Sequence, residues 1–182
     1  MHRKSLFTPL LFVSLFLTSC EFHCSVGDSG TGEKGESVKK DGITLYNGIK
    51  LDAKDVTVTK AFLITNDGKA DRIDDDNTVD PQKGVKLIIQ VEDGWKETGN
   101  KVFLGASMKV MADNGQTMLD EKDLFGSSDE TGLSAQDAKG IGLSVTLSSL
   151  KLDRPVTFDV TFRVWDKKGN GVIEGSYTFH TK

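Results

Sequence analysis

The sequence predicts an all-β domain, an antiparallel β-sandwich of about seven to nine strands. Apolar residues recur at every second position in several runs, as in strands that are covered on one face only. Sequences typical of turns separate these runs, and no segment is long and periodic enough to form a crossover helix. The chain of 182 residues is also long enough to bury a core without a metal or a disulfide.

The predicted strands follow in chain order. Residues 56–63 alternate but change phase after Val58, which predicts a β-bulge. Short strands are expected at residues 43–46 and 118–119. The long alternating runs occupy residues 85–91, 102–110, 141–147, 156–164 and 172–181. Because each run has one apolar and one polar face, the strands suit an antiparallel sandwich better than a parallel sheet covered by helices.

Turn sequences connect two pairs of these runs. An Asn-Gly pair at residues 114–115 and the segment 167–171 are each expected to close a hairpin. A calcium loop that begins at Asp166 is the alternative for the second turn. Lys168 and Tyr177 occupy the third and twelfth positions of such a loop, and the twelfth normally supplies a bidentate carboxylate. The hairpin is therefore the favoured interpretation.

The first twenty residues have the composition of an export signal. Arg3 and Lys4 precede an apolar run over residues 6–17, which is the arrangement of a signal peptide. The run is shorter than the roughly 20 residues that a membrane-spanning helix needs. It ends in the tetrapeptide Leu-Thr-Ser-Cys at residues 17–20.

This tetrapeptide resembles the lipobox of bacterial lipoproteins. The resemblance implies that residues 1–19 are a lipoprotein signal peptide and that a diacylglyceryl group is attached to the sulfur of Cys20, the first residue of the mature chain. Two or three acyl chains anchor a protein stably in a membrane. Glu21 follows the cysteine, where aspartate is associated with retention in the inner membrane, so the resemblance favours the outer membrane of the cell envelope.

Residues 20–40 are expected to form the lipidated N-terminus and a flexible linker. From residue 25 to residue 40 the chain consists mainly of Gly, Ser, Glu and Lys. Such a segment cannot bury enough apolar surface to offset the entropy lost on ordering. The β-sandwich domain is therefore assigned to residues 41–182.

The charge balance argues against a nucleic-acid partner. The chain has 27 acidic and 23 basic residues and a net charge of −4, without the clustered basic footprint that nucleic-acid binding requires. Cysteine occurs only at Cys20 and Cys24. No disulfide is therefore expected within the β-sandwich.

Three segments of the predicted domain resemble the small immunoglobulin-like domains of many bacterial lipoproteins. They are a strand that ends in an acidic residue, the segment Asp-Asn-Gly-Gln, and the start of a late strand, at residues 85–93, 113–116 and 155–158. Residues 152–155 replace the Pro-Gly-Glu-like turn usual in those domains, and the Cys-Trp-Cys framework of antibody domains is missing. The resemblance implies an immunoglobulin-like or Greek-key strand order and a role that is undefined.

Six aspartates lie close together in an expected loop between two strands. They are Asp67, Asp71, Asp74, Asp75, Asp76 and Asp80. Oxygen ligands in a flexible loop suit calcium, which takes six to eight of them. The alternative is a solvated acidic loop that keeps sheet edges from pairing with other chains. We call residues 67–80 the acidic loop; calcium is the one cofactor that the sequence suggests.

Two tryptophans are candidates for contact with a ligand. Trp95 lies in a polar segment between two predicted strands, and Trp165 lies at the end of a strand, in its outward phase. An exposed aromatic ring offers a large apolar face at low entropic cost. The alternative for each is a side chain that folds back over the core.

These observations predict a membrane-anchored lipoprotein whose β-sandwich is a non-catalytic binding or structural module at the cell envelope, with a protein or glycan as partner. No catalytic residue is assigned, because the predicted domain has a single histidine, His180, and no nucleophile-elbow motif. One alternative is a calcium-stabilised surface domain that uses the acidic loop. Another is an envelope hydrolase or an inhibitor of a hydrolase.

Overall fold

The computed structural model describes residues 36–146 and 153–182. These residues form thirteen β-strands and two single-turn 3-10 helices, Gly126–Ser128 and Asp137–Lys139. In chain order the strands are β1 (Ser37–Lys40), β2 (Ile43–Tyr46), β3 (Lys50–Lys54), β4 (Thr57–Thr65), β5 (Thr78–Val79), β6 (Val85–Asp93), β7 (Lys101–Val102), β8 (Leu104–Ala112), β9 (Thr117–Glu121), β10 (Leu133–Ser134), β11 (Gly140–Val145), β12 (Thr157–Asp166) and β13 (Val172–Thr181). Cys20 and the predicted signal peptide lie outside the described residues.

The strands form two large sheets and one small ladder. Sheet A has the order β1-β2-β4-β6-β11, and sheet B has the order β3-β13-β12-β8-β9, with β5 also paired to β13. Strands β7 and β10 form the ladder. Pairing is antiparallel except between β2 and β4 and between β5 and β13. Over the described residues, no helix is long and apolar enough to cross a membrane.

The core consists of the side chains that the two large sheets turn toward each other. On β12, Phe158, Val160, Phe162 and Val164 are buried, whereas the residues between them face outward. These side chains belong to a single buried cluster with apolar residues of sheet A such as Leu87. This arrangement is all-β and consistent with the predicted sandwich, since strands with one apolar face must bury it against another layer.

The structure confirms both hairpins and, over the described residues, the alternating runs as strands; residue 147, the end of the predicted run 141–147, lies outside the described residues. Residues 85–91 lie within β6, and residues 172–181 form β13. The predicted change of phase near Val58 is present as shifts in the register between β4 and β6. The second hairpin places Trp165 opposite Val172. The turn interpretation of residues 167–171 is therefore correct.

The described residues contain more strands than expected because many are short. Eight of the thirteen have five or more residues, which matches the number of clear alternating patterns more closely.

The structure also differs from the expected linker at its C-terminal end. Strand β1 pairs with β2 in antiparallel register although its side chains are exposed. Backbone pairing without burial leaves no apolar periodicity in the sequence, so this strand could not be found from it.

Candidate functional site

Trp165 lies on the outer face of sheet B. The register places it opposite Gly105 of β8. A Cβ atom on Gly105 would come within 2.3 Å of both Cε2 and Cζ2 of the Trp165 ring. The ring therefore packs directly against β8 at Gly105, where a residue with a side chain would collide with it. Since Trp165 is half-buried, its remaining exposure is on the outward side.

Next to the ring on the same strand is an ion pair. The Nε of Arg163 donates to Oε1 of Glu174 on β13 at 2.7 Å. The Arg163 guanidinium also lies 5.5 Å from the centre of the Trp165 ring, within reach of a cation–π contact. Both charged side chains are at least half exposed, so the pair adds little to stability. Its effect is to hold two planar polar groups beside the aromatic ring.

A shallow groove of about 430 Å³ runs across the strands beside Arg163. Its lining includes two residues with hydroxyl groups, Ser107 of β8 and Thr161 of β12. The charged lining comprises three cations and three anions: Lys109, Lys122, Arg163, Asp120, Glu121 and Glu174. The groove is therefore polar but has no net charge.

The β9 end of the groove holds a second ion pair. The Nζ of Lys122 donates to Oδ1 of Asp120 at 2.5 Å. This hydrogen bond is the main reason why the pKa of Asp120 is lowered, and the charges of Lys122 and Lys109 add to it. Asp120 therefore stays ionised at neutral pH. We call the groove together with the outward ring of Trp165 the sheet B face.

Trp95 does not belong to the sheet B face. Its Nε1 donates to the backbone oxygen of Ala138 at 3.2 Å, and the side chain is half-buried against the core. Gly171 lies so close that an added Cβ would come within 2.9 Å of two ring carbons. The contacts are those of a plug folded back over the core. The two tryptophans thus flank the β12–β13 hairpin, but only Trp165 lies on the outer face of a sheet.

The hairpin itself depends on a residue whose role the sequence did not reveal. Asp166 is buried, and its carboxylate accepts hydrogen bonds from three backbone N–H groups, those of Lys96, Lys168 and Gly169, at 2.6 to 2.8 Å. These contacts tie the turn to the segment that carries Trp95. An aspartate before a glycine-rich turn is the sequence signal for such capping.

The carboxylates of the acidic loop mostly serve the loop itself. Asp67 accepts from the hydroxyl of Thr65 and the backbone N–H of Lys69. Asp76 and Asp80 each accept from the N–H group two residues ahead, at 3.0 and 2.9 Å. These hydrogen bonds are the principal cause of lowered pKa values for Asp67 and Asp76. The pattern is that of Asx turns.

The other three aspartates of the loop make different contacts. Asp75 accepts from the backbone N–H of Glu36 at 2.8 Å. Asp71 and Asp74 take part through their backbone oxygens, which accept from the N–H groups of Thr65 and Asn77. Among the described residues, no group of three or more His, Cys, Asp or Glu side chains is arranged to hold a metal ion.

The loop is fixed to the domain by two buried asparagines that the sequence analysis did not single out. The side-chain nitrogen of Asn47 donates to Oδ1 of Asn77 at 3.0 Å, and its oxygen accepts from the N–H of Leu63. Asn77 donates to the backbone oxygens of Asn47 and Thr178, both at 2.8 Å. Both asparagines have positive φ angles, a conformation that asparagine tolerates better than most residues.

His180 forms a cross-strand contact. Its Nδ1 lies 2.8 Å from the hydroxyl of Thr157, the residue opposite it on β12. Both side chains are half-buried at the polar face of sheet B. The contact is an ordinary polar pair between neighbouring strands.

The candidate site is described by these contacts and distances. No protein-family model matches the sequence, and no curated protein shows significant similarity to it.

Proposed function

We propose that this protein is a lipid-anchored, non-catalytic binding module of the bacterial cell envelope, and that the sheet B face is its ligand site. The observation that carries the assignment is the Trp165 ring laid over Gly105 beside a polar groove. A glycine that makes room for a half-buried aromatic ring holds that ring at a fixed position beside the groove. Binding sites are commonly built in this way, from a rigid aromatic group with a few placed polar groups.

The proposed membrane anchor depends on the sequence. The lipobox-like tetrapeptide supports lipidation at Cys20, with residues 1–19 as the signal peptide, and Glu21 favours the outer membrane.

The domain is assigned to the immunoglobulin-like sandwiches. That assignment is supported by the parallel pairing of the short strand β5 with the last strand, β13, and by the split of the chain between two sheets. A fold of this kind does not determine the ligand.

The experiment that tests the site is photo-crosslinking in intact cells that export the full chain. A benzophenone amino acid is placed at position 109, in the groove, or at position 90, an exposed position on the outer face of sheet A. We expect a discrete adduct from position 109 and none from position 90. Equal labelling from both positions, or none from position 109, would contradict the site assignment.

The same cells test the anchor. Fractionation should place the wild-type chain with the membranes and the Cys20→Ser variant in the soluble fraction, because the variant has no sulfur to acylate. Mass spectrometry of the wild-type chain should show a lipidated N-terminal residue 20. A Cys20→Ser variant that remains with the membranes would show that something else attaches the protein.

A further inference from the structure

We infer that the ligand of the sheet B face is a neutral oligosaccharide, one sugar ring of which stacks on Trp165 while its neighbours bind in the groove through their hydroxyl groups. This inference rests on the proposed function, since it names the ligand class of the same site.

The position of Trp165 suits contact with a sugar ring. The indole packs against β8 at Gly105, and the half-buried side chain keeps part of its surface exposed on the outer face of sheet B. The C–H groups on one side of a pyranose form a flat apolar patch, and such patches pack on aromatic rings.

The groove next to the ring supplies hydrogen-bonding groups at the spacing of a sheet. Ser107 lies opposite Arg163, and Arg163 lies opposite Glu174. Hydroxyl, guanidinium and carboxylate groups thus form one row across three strands. A guanidinium and a carboxylate each have two parallel hydrogen-bonding positions, which match a pair of adjacent sugar hydroxyls.

The charge balance favours a neutral ligand. The three cations of the groove face three anions, and the pairs Arg163–Glu174 and Lys122–Asp120 are already in contact. An anionic polymer would need an excess of cations, as nucleic-acid binding does. A neutral polar ligand can bind to these groups without separating the pairs.

A protein partner is disfavoured by the composition of the same surface. The central part of a protein–protein interface is depleted in charged residues and enriched in large apolar ones. The residues that line the groove are instead mostly charged or hydroxyl-bearing. In the described part of the chain, the exposed large hydrophobic residue is Val38, on β1 of the other sheet.

The size of the groove also suits a small ligand. Its volume of about 430 Å³ is within the range of roughly 300–1,000 Å³ of small-ligand sites.

The test uses the full-length chain in a detergent without a sugar headgroup, with fluorescence as the readout. The Trp95→Phe substitution leaves Trp165 as the reporter and should not alter binding, because Trp95 lies outside the sheet B face. The probes are maltohexaose, cellohexaose and chitohexaose, each titrated to millimolar concentration, with polygalacturonate as the anionic comparison. We expect saturable fluorescence changes with at least one neutral probe and none with polygalacturonate.

Two variants separate stacking from other effects, with binding measured by calorimetry. Trp165→Ala should weaken binding about tenfold through loss of the aromatic contact. Gly105→Ala keeps the ring but displaces it from β8, and should weaken binding to a similar extent. Gln90→Ala, on the outer face of sheet A, is the matched control and should bind like the wild type.

The outcomes distinguish this inference from the proposed function. If no neutral probe binds, or if polygalacturonate binds best, the glycan inference fails, while an adduct from position 109 would still support a ligand of another class at this face. If a neutral probe binds equally to wild type, Trp165→Ala and Gly105→Ala, the stacking site is wrong. Loss of binding in both variants, with the control unaffected, supports the inference.

Discussion

The acidic loop, which the sequence predicts, and the sheet B face, which is assembled only in the folded chain, use their charged side chains differently. In the loop, Asp67, Asp76 and Asp80 accept hydrogen bonds from backbone groups only a few residues away. On the sheet B face, Arg163 contacts Glu174 across two strands and Lys122 contacts Asp120 at the end of β9, and these side chains keep much of their surface in water. Local capping uses a carboxylate to build the fold, whereas exposed ion pairs leave polar groups available to a ligand.

The largest effect that would test this comparison is expected at the base of the acidic loop. Asn77→Ala removes two donors to buried backbone oxygens and the acceptor for Asn47. We expect the free energy of unfolding to fall by about 3 kcal/mol, because buried polar partners are left unpaired. Chemical denaturation measures this change.

The matched control is Asn170→Ala, at an exposed asparagine in the β12–β13 turn. This substitution should change the free energy of unfolding by less than about 0.5 kcal/mol. A similar loss in both variants would show that the buried asparagine network is not what holds the loop.

The next effect is the dependence of stability on pH. The pKa values of Asp67 and Asp76 are held below the ordinary value of 3.8 by hydrogen bonds made only in the folded state. Their contribution is therefore present above about pH 4 and is lost as the pH falls through the folded-state values. The melting temperature should drop between pH 5 and about pH 2.

Substitution distinguishes the capping aspartates from the others. In an Asp67→Asn/Asp76→Asn variant the melting temperature should be lower than that of the wild type at pH 7, and the two should converge at low pH. The control is Asp71→Asn/Asp74→Asn, in which the wild-type hydrogen bonds use backbone oxygens. It should keep the wild-type slope. Parallel curves for wild type and the first variant would refute the assignment.

On the sheet B face the corresponding substitution should hardly affect stability. Arg163→Ala removes one partner of an exposed ion pair, and such pairs contribute little. We expect the free energy of unfolding to change by less than about 0.5 kcal/mol. A loss of several kcal/mol would mean that the pair is structural, and would weaken the comparison.

The smallest expected effect is that of calcium. Because four of the loop carboxylates accept hydrogen bonds from backbone N–H groups and the described side chains do not converge into a group that could hold a metal ion, we expect 1 mM calcium to leave the melting temperature unchanged to within about 1 °C. The comparison is a sample with chelator. A calcium-dependent increase that chelator reverses would instead establish the alternative of a calcium-stabilised domain.

The parts of the fold that the sequence could predict are those in which burial is local. The alternation over residues 156–164 follows directly from one face of β12 being buried, and the glycine-rich turn after Asp166 marks its end. The exposed strand β1 left no such pattern. The clear alternation of the long strands is what made the all-β class predictable.

Only part of the candidate site could be predicted from the sequence. The outward phase of Trp165 followed from its position in the strand. The role of Gly105 did not, because it depends on which residue of β8 lies opposite Trp165, and the register between two strands that are far apart in the chain is not encoded locally. The same holds for Asn47 and Asn77, which meet only in the folded chain.

The pairing of β1 has a mechanical consequence under the proposed anchoring. Ser37 lies opposite Tyr46, and Lys40 lies opposite Ile43 beside a tight turn with positive φ at Asp41 and Gly42. A force that pulls on the chain from the membrane side would first break the hydrogen bond from Glu36 to Asp75, then open the Ser37–Tyr46 pair, and then the other pairs one at a time. Separating β1 from β2 releases about 13 Å of chain at low force. The core then experiences the force only through β2. Strand β1 is thus a short extensible element between anchor and domain.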